Sequence, residues 1–160
     1  MAARRTLPAF VQIALLLLFI TLLSIAGTHA QNSTDPWSAA QTVQPADFAK
    51  ELSGGKSSPT ILFVGFQRLY TSGHIKGAQY HGSGGRPEGV AEIKAWAAPL
   101  PRSTNLVIYC GCCPMEKCPN LRPAFSALHD MGFTNLRVLI LPTSFAVDWA
   151  DKGLPYDKGQ

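Results

Sequence analysis

The chain has 160 residues, 46% hydrophobic and 15% charged, with 14 Lys+Arg against 10 Asp+Glu. That length fits one ordinary domain with an appendage and argues against two full domains, and the apolar fraction excludes a disordered chain. The 14 glycines and 12 prolines follow no repeat period, which excludes collagen-like and solenoid architectures. The net charge of +4 includes Arg4 and Arg5 at the start, and no Lys/Arg stripe follows, so no nucleic-acid partner is expected.

Residues 1–30 combine a charged start, an apolar run (FVQIALLLLFITLLSIAG) and a small-residue exit at Ala30. These are the parts of a secretory signal peptide, and an uncleaved membrane anchor over residues 7–27 is the alternative. Either reading places the rest of the chain outside the cytoplasm, periplasmic or secreted, where disulfides can form. Contact with a membrane is expected only if this segment is retained. Residues 31–44 are polar, contain Pro36 and read as a linker; Asn32-Ser33-Thr34 there matches the N-glycosylation acceptor pattern.

The body of the chain, residues 45–156, reads as one α/β domain, with residues 157–160 as a tail. In residues 45–52, Phe48 and Leu52 stand four apart and Gly54-Gly55 follows, which predicts a short helix. Residues 61–66 (ILFVGF) form a continuous apolar run, the pattern of a strand covered on both faces. Residues 81–90 read as a flexible loop, and 91–98 as a helix with Ile93 and Trp96 on one side. Residues 105–109 (NLVIY) and 136–141 (LRVLIL) predict two more buried strands, separated by a helix over 123–131 that Gly132 ends. Strand, helix, strand with short connections is a βαβ unit, so the sheet is expected to be mainly parallel and flanked by helices. Chemistry on such sheets gathers at the carboxyl ends of the strands.

All four cysteines sit at one such end. The 105–109 strand runs into Cys110-Gly111-Cys112-Cys113-Pro114-Met115-Glu116-Lys117-Cys118-Pro119-Asn120 and then into a helix. A loop feeding a helix start presents free N–H groups and the positive end of a dipole, and a thiol held there ionises readily to its reactive form. Cys110, first off the strand, is the expected nucleophile. Gly111, Lys117, Asn120 and Arg122 are expected to line the anion-binding side of the loop, and Cys112, Cys113 and Cys118 to be accessory thiols.

Four segments carry a resemblance in the right order. Gly73-His74-Ile75-Lys76-Gly77-Ala78 resembles the Gly-His-Ile-Pro-Gly-Ala signature of the rhodanese-like domain. Val107-Ile108-Tyr109-Cys110 resembles the strand that delivers that family's catalytic cysteine. Met131-Gly132-Phe133-Thr134-Asn135-Leu136 resembles its helix-to-strand turn, and Trp149-Ala150-Asp151-Lys152-Gly153-Leu154-Pro155 its closing segment. The resemblance covers residues 43–156. It implies a single domain around a mainly parallel sheet, and a cysteine that takes a sulfane sulfur as a persulfide and passes it to a thiophilic acceptor. It also implies a partner that is a small sulfur donor or a protein thiol or persulfide, with no cofactor.

The chain departs from the family at three points. Phe63-Val64-Gly65 stands where the family has Asp-x-Arg, Lys76 replaces a proline, and the cysteine loop is longer than the family's.

Three other uses of the cysteines stay open. The four can form two disulfides in three connectivities. Cys110 and Cys113 form a C-x-x-C pair suited to thiol–disulfide exchange. Soft ligation of Cu(I) or Zn, with Cys112, Cys113 and Cys118 as ligands, is the third. His74 reads as a turn-closing residue, Trp96 and Trp149 as core aromatics, Arg86 and Arg102 as solvated surface charge, and Glu116 as a residue that keeps the loop wet.

Overall fold

The structure is a computed structural model that describes residues 35–55 and 58–159. The signal or anchor segment and the Asn32 acceptor pattern lie outside the described residues. No helix among the described residues is long and apolar enough to cross a membrane.

Among the described residues, seven strands and five α-helices follow in chain order: β1 Thr42–Val43, α1 Pro45–Ser53, β2 Thr60–Phe63, α2 Gln67–Ser72, β3 His74–Ile75, β4 Ala78–Tyr80, α3 Pro87–Ala97, β5 Leu106–Tyr109, α4 Leu121–Asp130, β6 Leu136–Leu139, α5 Phe145–Asp148 and β7 Tyr156–Asp157. The main sheet has the order β1-β6-β5-β2-β4 with every pairing parallel. β3 and β7 form a separate antiparallel ribbon.

Composition explains the order. β5, in the centre, is Leu-Val-Ile-Tyr with all four residues buried, as a parallel strand with helices on both faces requires. Side chains alternate across the sheet. Leu106 and Ile108 join Ile93 and Ala97 of α3 and Leu121, Ala124, Phe125 and Leu128 of α4 on one face. Val107 and Tyr109 join Phe48 and Ala49 of α1 and Trp149 on the other. Each fully buried side chain of this size stabilises the fold by about 1.5–3 kcal/mol. Cys110 continues the alternation and belongs to the α3–α4 face.

Helix starts follow local chemistry. Proline occupies the first turn of α1 and α3, where its missing N–H costs nothing. α3 therefore begins at Pro87, ahead of the predicted 91, and takes in Gly89, whose Cα lies against Ser83 too closely for any side chain. Gly132, at φ +88°, closes α4 and bonds back to His129.

Three expectations are corrected. The stretch read as a linker enters the fold: Trp37 is buried edge-on to Phe125, and β1 pairs with β6. The predicted tail begins inside β7, where Asp157 pairs with His74. Loop 81–86 is pinned, since Ser83 is buried and Gly84 N–H donates to Val64 C=O at 2.9 Å. Arg102 is exposed, as expected of surface charge. It donates to the Ala97 and Leu100 carbonyls at 3.1 Å, closing the end of α3, and lies 4.8 Å over the Phe133 ring.

Candidate functional site

Cys110 is the first residue beyond β5, at the carboxyl end of the central strand, and Gly111 turns the chain away from the sheet. Gly111 has φ +71°, and its carbonyl accepts the Phe145 N–H at 3.0 Å. A Cβ there would stand 2.8 Å from the Phe145 nitrogen, so both conformation and space demand glycine. This turn directs Cys112 back over Cys110.

The four cysteines are free thiols. Sγ of Cys110 donates to Sγ of Cys112 at 3.1 Å, and Cys113 Sγ lies 3.4 Å from that of Cys112. The sulfurs of Cys110, Cys112 and Cys118 all lie within 4.8 Å of one another. Cys110 and Cys118 are buried, at 2% and 4% exposure, while Cys112 is half-buried. The set brought together is thus Cys110, Cys112 and Cys118. Cys113 lies against Cys112 and stands outside that set, so the geometry pairs Cys110 with Cys112 rather than with the expected Cys113, and the converging set has Cys110 where Cys113 was expected.

Asn120 organises the cluster. It is fully buried and occupies the cap position of α4, yet its side chain does not cap that helix. Instead its Nδ2 donates to the sulfurs of Cys110 and Cys112 at 3.5 Å each. Its Oδ1 accepts from Ser83 Oγ at 2.8 Å and from Gly85 N–H at 3.0 Å.

Charge follows from these bonds. The Cys110 thiol is raised well above the ordinary thiol range because it gives its proton to Cys112, with the contact to Cys118 and burial adding to the effect. Cys112, receiving that proton, is lowered to about 5. Cys118 is lowered to about 7 by a bond from Cys110 and by the amides of Asn120 and Leu121. Cys110 has one S–H, so it cannot serve both partners at once; Cys112 is the nearer acceptor and carries the charge. Burial and the neighbouring Cys112 push Cys113 up to about 12. The expectation that main-chain amides hold an anionic Cys110 is therefore corrected: the amides serve Cys118, and Cys110 is the proton donor of a thiol–thiolate pair.

The remaining loop candidates lie at the rim. Lys117 is exposed. Arg122 pairs with Asp35 at 2.6 Å and donates to the carbonyls of Met115 and Cys118 at 3.3 and 3.4 Å, so it fastens the loop. Beside Cys110, Gly111 and Cys112 opens a cavity of about 290 Å³ lined by Phe63, Leu69, Phe145 and Tyr156, with Lys158 at its edge. Phe63 forms part of that apolar wall. Gly65 faces Cys110: a Cβ there would lie 3.2 Å from its sulfur. His74 is buried away from the thiols, stacked on Tyr70 at 3.9 Å. Sequence reading missed Ser83 and the lining supplied by α2, α5 and Tyr156, because nothing local marks them; only the pairing of the 81–86 loop with Asn120 does.

By sequence, the chain matches no family model and no curated protein. By structure, it is similar to the rhodanese-like domain of a protein from Anabaena sp., with TM-score 0.55 and 22% identity over 74% of this chain and 79% of that one. It is similar also to a protein from Bacillus halodurans, with TM-score 0.57 and 15% identity over 92% and 86% of the two chains. A third is an EanB variant, a cysteine persulfide in a tetrahedral intermediate state with ergothioneine, at TM-score 0.53 and 21% identity over 73% of this chain and 28% of that one. Likeness at such identities speaks for the backbone alone, and with the parallel five-stranded sheet and its flanking helices it shows that this chain has the rhodanese-like fold.

Proposed function

We propose that the protein is an exported sulfurtransferase that moves a sulfane sulfur through a persulfide on Cys110. One observation carries the reading: a thiol at the end of the central strand borders an open cavity and holds a neighbouring sulfur at 3.1 Å as its base. As Cys110 attacks the outer sulfur of a donor, its proton passes to the Cys112 thiolate. A new S–S bond forms to Cys110, the donor's own S–S bond breaks, and the leaving group departs with the electron pair. With thiosulfate as donor the leaving group is sulfite. An acceptor thiolate then attacks the outer sulfur of the persulfide, and Cys110 leaves as thiolate and recovers its proton from Cys112. Splitting the transfer in this way replaces one difficult step by two easier ones. The Asn120 amide, already aimed at both sulfurs, supports the anion in each.

The apolar wall and the missing family arginine favour an organic thiol or a protein cysteine as acceptor over a small hydrophilic anion. The test is peptide mass analysis after thiosulfate treatment, in which Cys110 gains one sulfur. A Cys110 that stays unmodified and open to alkylation would overturn the reading.

A second reading rests on the same 3.1 Å contact. Cys110 and Cys112 give two electrons and their one shared proton to a partner disulfide, water supplying the second proton, which reduces it to a dithiol and joins the two sulfurs. A Cys110–Cys112 disulfide as the sole product with thiosulfate and with protein disulfides would favour it.

A further inference from the structure

The cysteine cluster has a geometry that sulfur transfer does not need. Persulfide chemistry uses one sulfur and one base, yet a third sulfur, that of Cys118, is buried beside them, all three within 4.8 Å. At a metal–sulfur distance of about 2.3 Å, the zinc–thiolate value, three sulfurs in a plane around one ion stand about 4.0 Å apart. The cluster reaches that spacing by small side-chain adjustments, the closest pair opening from 3.1 Å.

The donor set selects the ion. Three sulfurs and no nitrogen or oxygen ligand make a soft site, suited to Cu(I), Zn or iron–sulfur centres. Structural zinc is almost always four-coordinate, and iron–sulfur clusters take four cysteines. The fourth cysteine, Cys113, falls outside the group that converges, and Cys110 and Cys118 are nearly closed to water. Three-coordinate Cu(I) fits what remains. We infer that Cys110, Cys112 and Cys118 form a trigonal thiolate site for one Cu(I) ion.

The surroundings meet the charge of such a site. Three thiolates and one monovalent cation leave net negative charge in a buried place. Asn120 Nδ2 donates to the sulfurs of Cys110 and Cys112, and its Oδ1 is held by Ser83 and Gly85, so this amide stands ready before an ion arrives. Loading releases the thiol protons and changes no oxidation state. It also ties up the sulfur of Cys110, so copper-loaded protein cannot take a sulfane sulfur.

The reduced full-length chain, kept anaerobic, is titrated with Cu(I) against bicinchoninate as coloured competitor. One equivalent should be withheld from the chelator, and X-ray absorption should show three sulfurs at about 2.3 Å and no lighter ligand. Cys118→Ser should weaken retention by more than the roughly 10–100-fold that loss of a supporting contact costs, while Cys113→Ser leaves stoichiometry and spectrum unchanged. Copper left wholly with the chelator, a two-sulfur spectrum, or a Cys113→Ser variant as damaged as Cys118→Ser would each overturn the site. The wild-type spectrum decides even if Cys118→Ser fails to fold. Copper binding with no sulfur gain on thiosulfate treatment would defeat the transferase reading and leave this site standing; persulfide without copper retention would do the reverse.

Discussion

The sulfurs of Cys110 and Cys112 lie 3.1 Å apart, with Cys110 buried at 2% exposure and Cys112 half-open to the adjoining cavity. One sulfur is aligned by the strand that leads into it and the other by the left-handed turn at Gly111. Between them they share a proton, so their reactivities are linked.

Under the transferase reading, Cys110→Ser abolishes persulfide formation and thiocyanate production from thiosulfate and cyanide. Cys112→Ser keeps the nucleophile but removes its base. Its rate should fall roughly 10²–10⁴-fold at neutral pH and recover as pH rises, when Cys110 ionises unaided. Rate–pH profiles of the two variants check this; a Cys112→Ser variant with a normal neutral-pH rate would sink the shared-proton mechanism.

Alkylation reports the proton directly. Cys112, lowered to about 5 by the bond from Cys110, should react with iodoacetamide with a midpoint in that region, well below the ordinary thiol value of about 8.5. Cys110→Ala deletes the donor, so the Cys112 midpoint moves up. Peptide-resolved alkylation against pH measures both; an unmoved midpoint would mean that Cys113, Cys118 and Asn120 support the charge without Cys110.

Asn120→Ala strips the amide from two sulfurs and leaves Ser83 Oγ and Gly85 N–H without their acceptor. A buried polar group deprived of its partner costs about 1–3 kcal/mol, so stability should fall by that order and the 81–86 loop should gain protease sensitivity. Urea unfolding and limited proteolysis provide the readouts.

Gly111→Ala meets two obstacles, a left-handed φ of +71° and the Phe145 backbone 2.8 Å from the new carbon. The conformation alone costs about 1–2 kcal/mol. A melting temperature lower by roughly 5–10 °C is expected, with loss of sulfur loading as Cys112 moves off Cys110.

Acid should weaken the fold at a site remote from the thiols. Arg137 binds both oxygens of Glu51, at 2.9 and 2.7 Å, and holds that carboxyl below its ordinary value; Asn105 adds a bond. A depressed carboxyl contributes stability that is present above the unfolded-state value and lost as pH falls through the folded-state one. Urea midpoints at pH 7 and pH 3 should differ more for the wild type than for Glu51→Gln, which is itself destabilised by about 1–3 kcal/mol at pH 7.

The strands at 61–63, 106–109 and 136–139 were legible because a parallel strand covered on both faces is apolar at nearly every position, Arg137 being the exception, and such runs are local. The same holds for the first turn of α1, marked by Pro45, and for the end of α4, marked by Gly132. Cys110 was legible too, as the residue a central strand hands to the loop beyond it. Short edge elements were not: β1, β4 and β7 have two or three residues each and exist only through partners such as Val138, Ile61 and His74. Order in sequence could not say which thiols meet. That depended on the turn at Gly111, on the approach of α4, and on Asn120, which leaves its own helix uncapped to join Ser83 to two sulfurs. A proton moves to the nearest acceptor in space, so the location of the charge among Cys110, Cys112 and Cys118 was decided by folding alone.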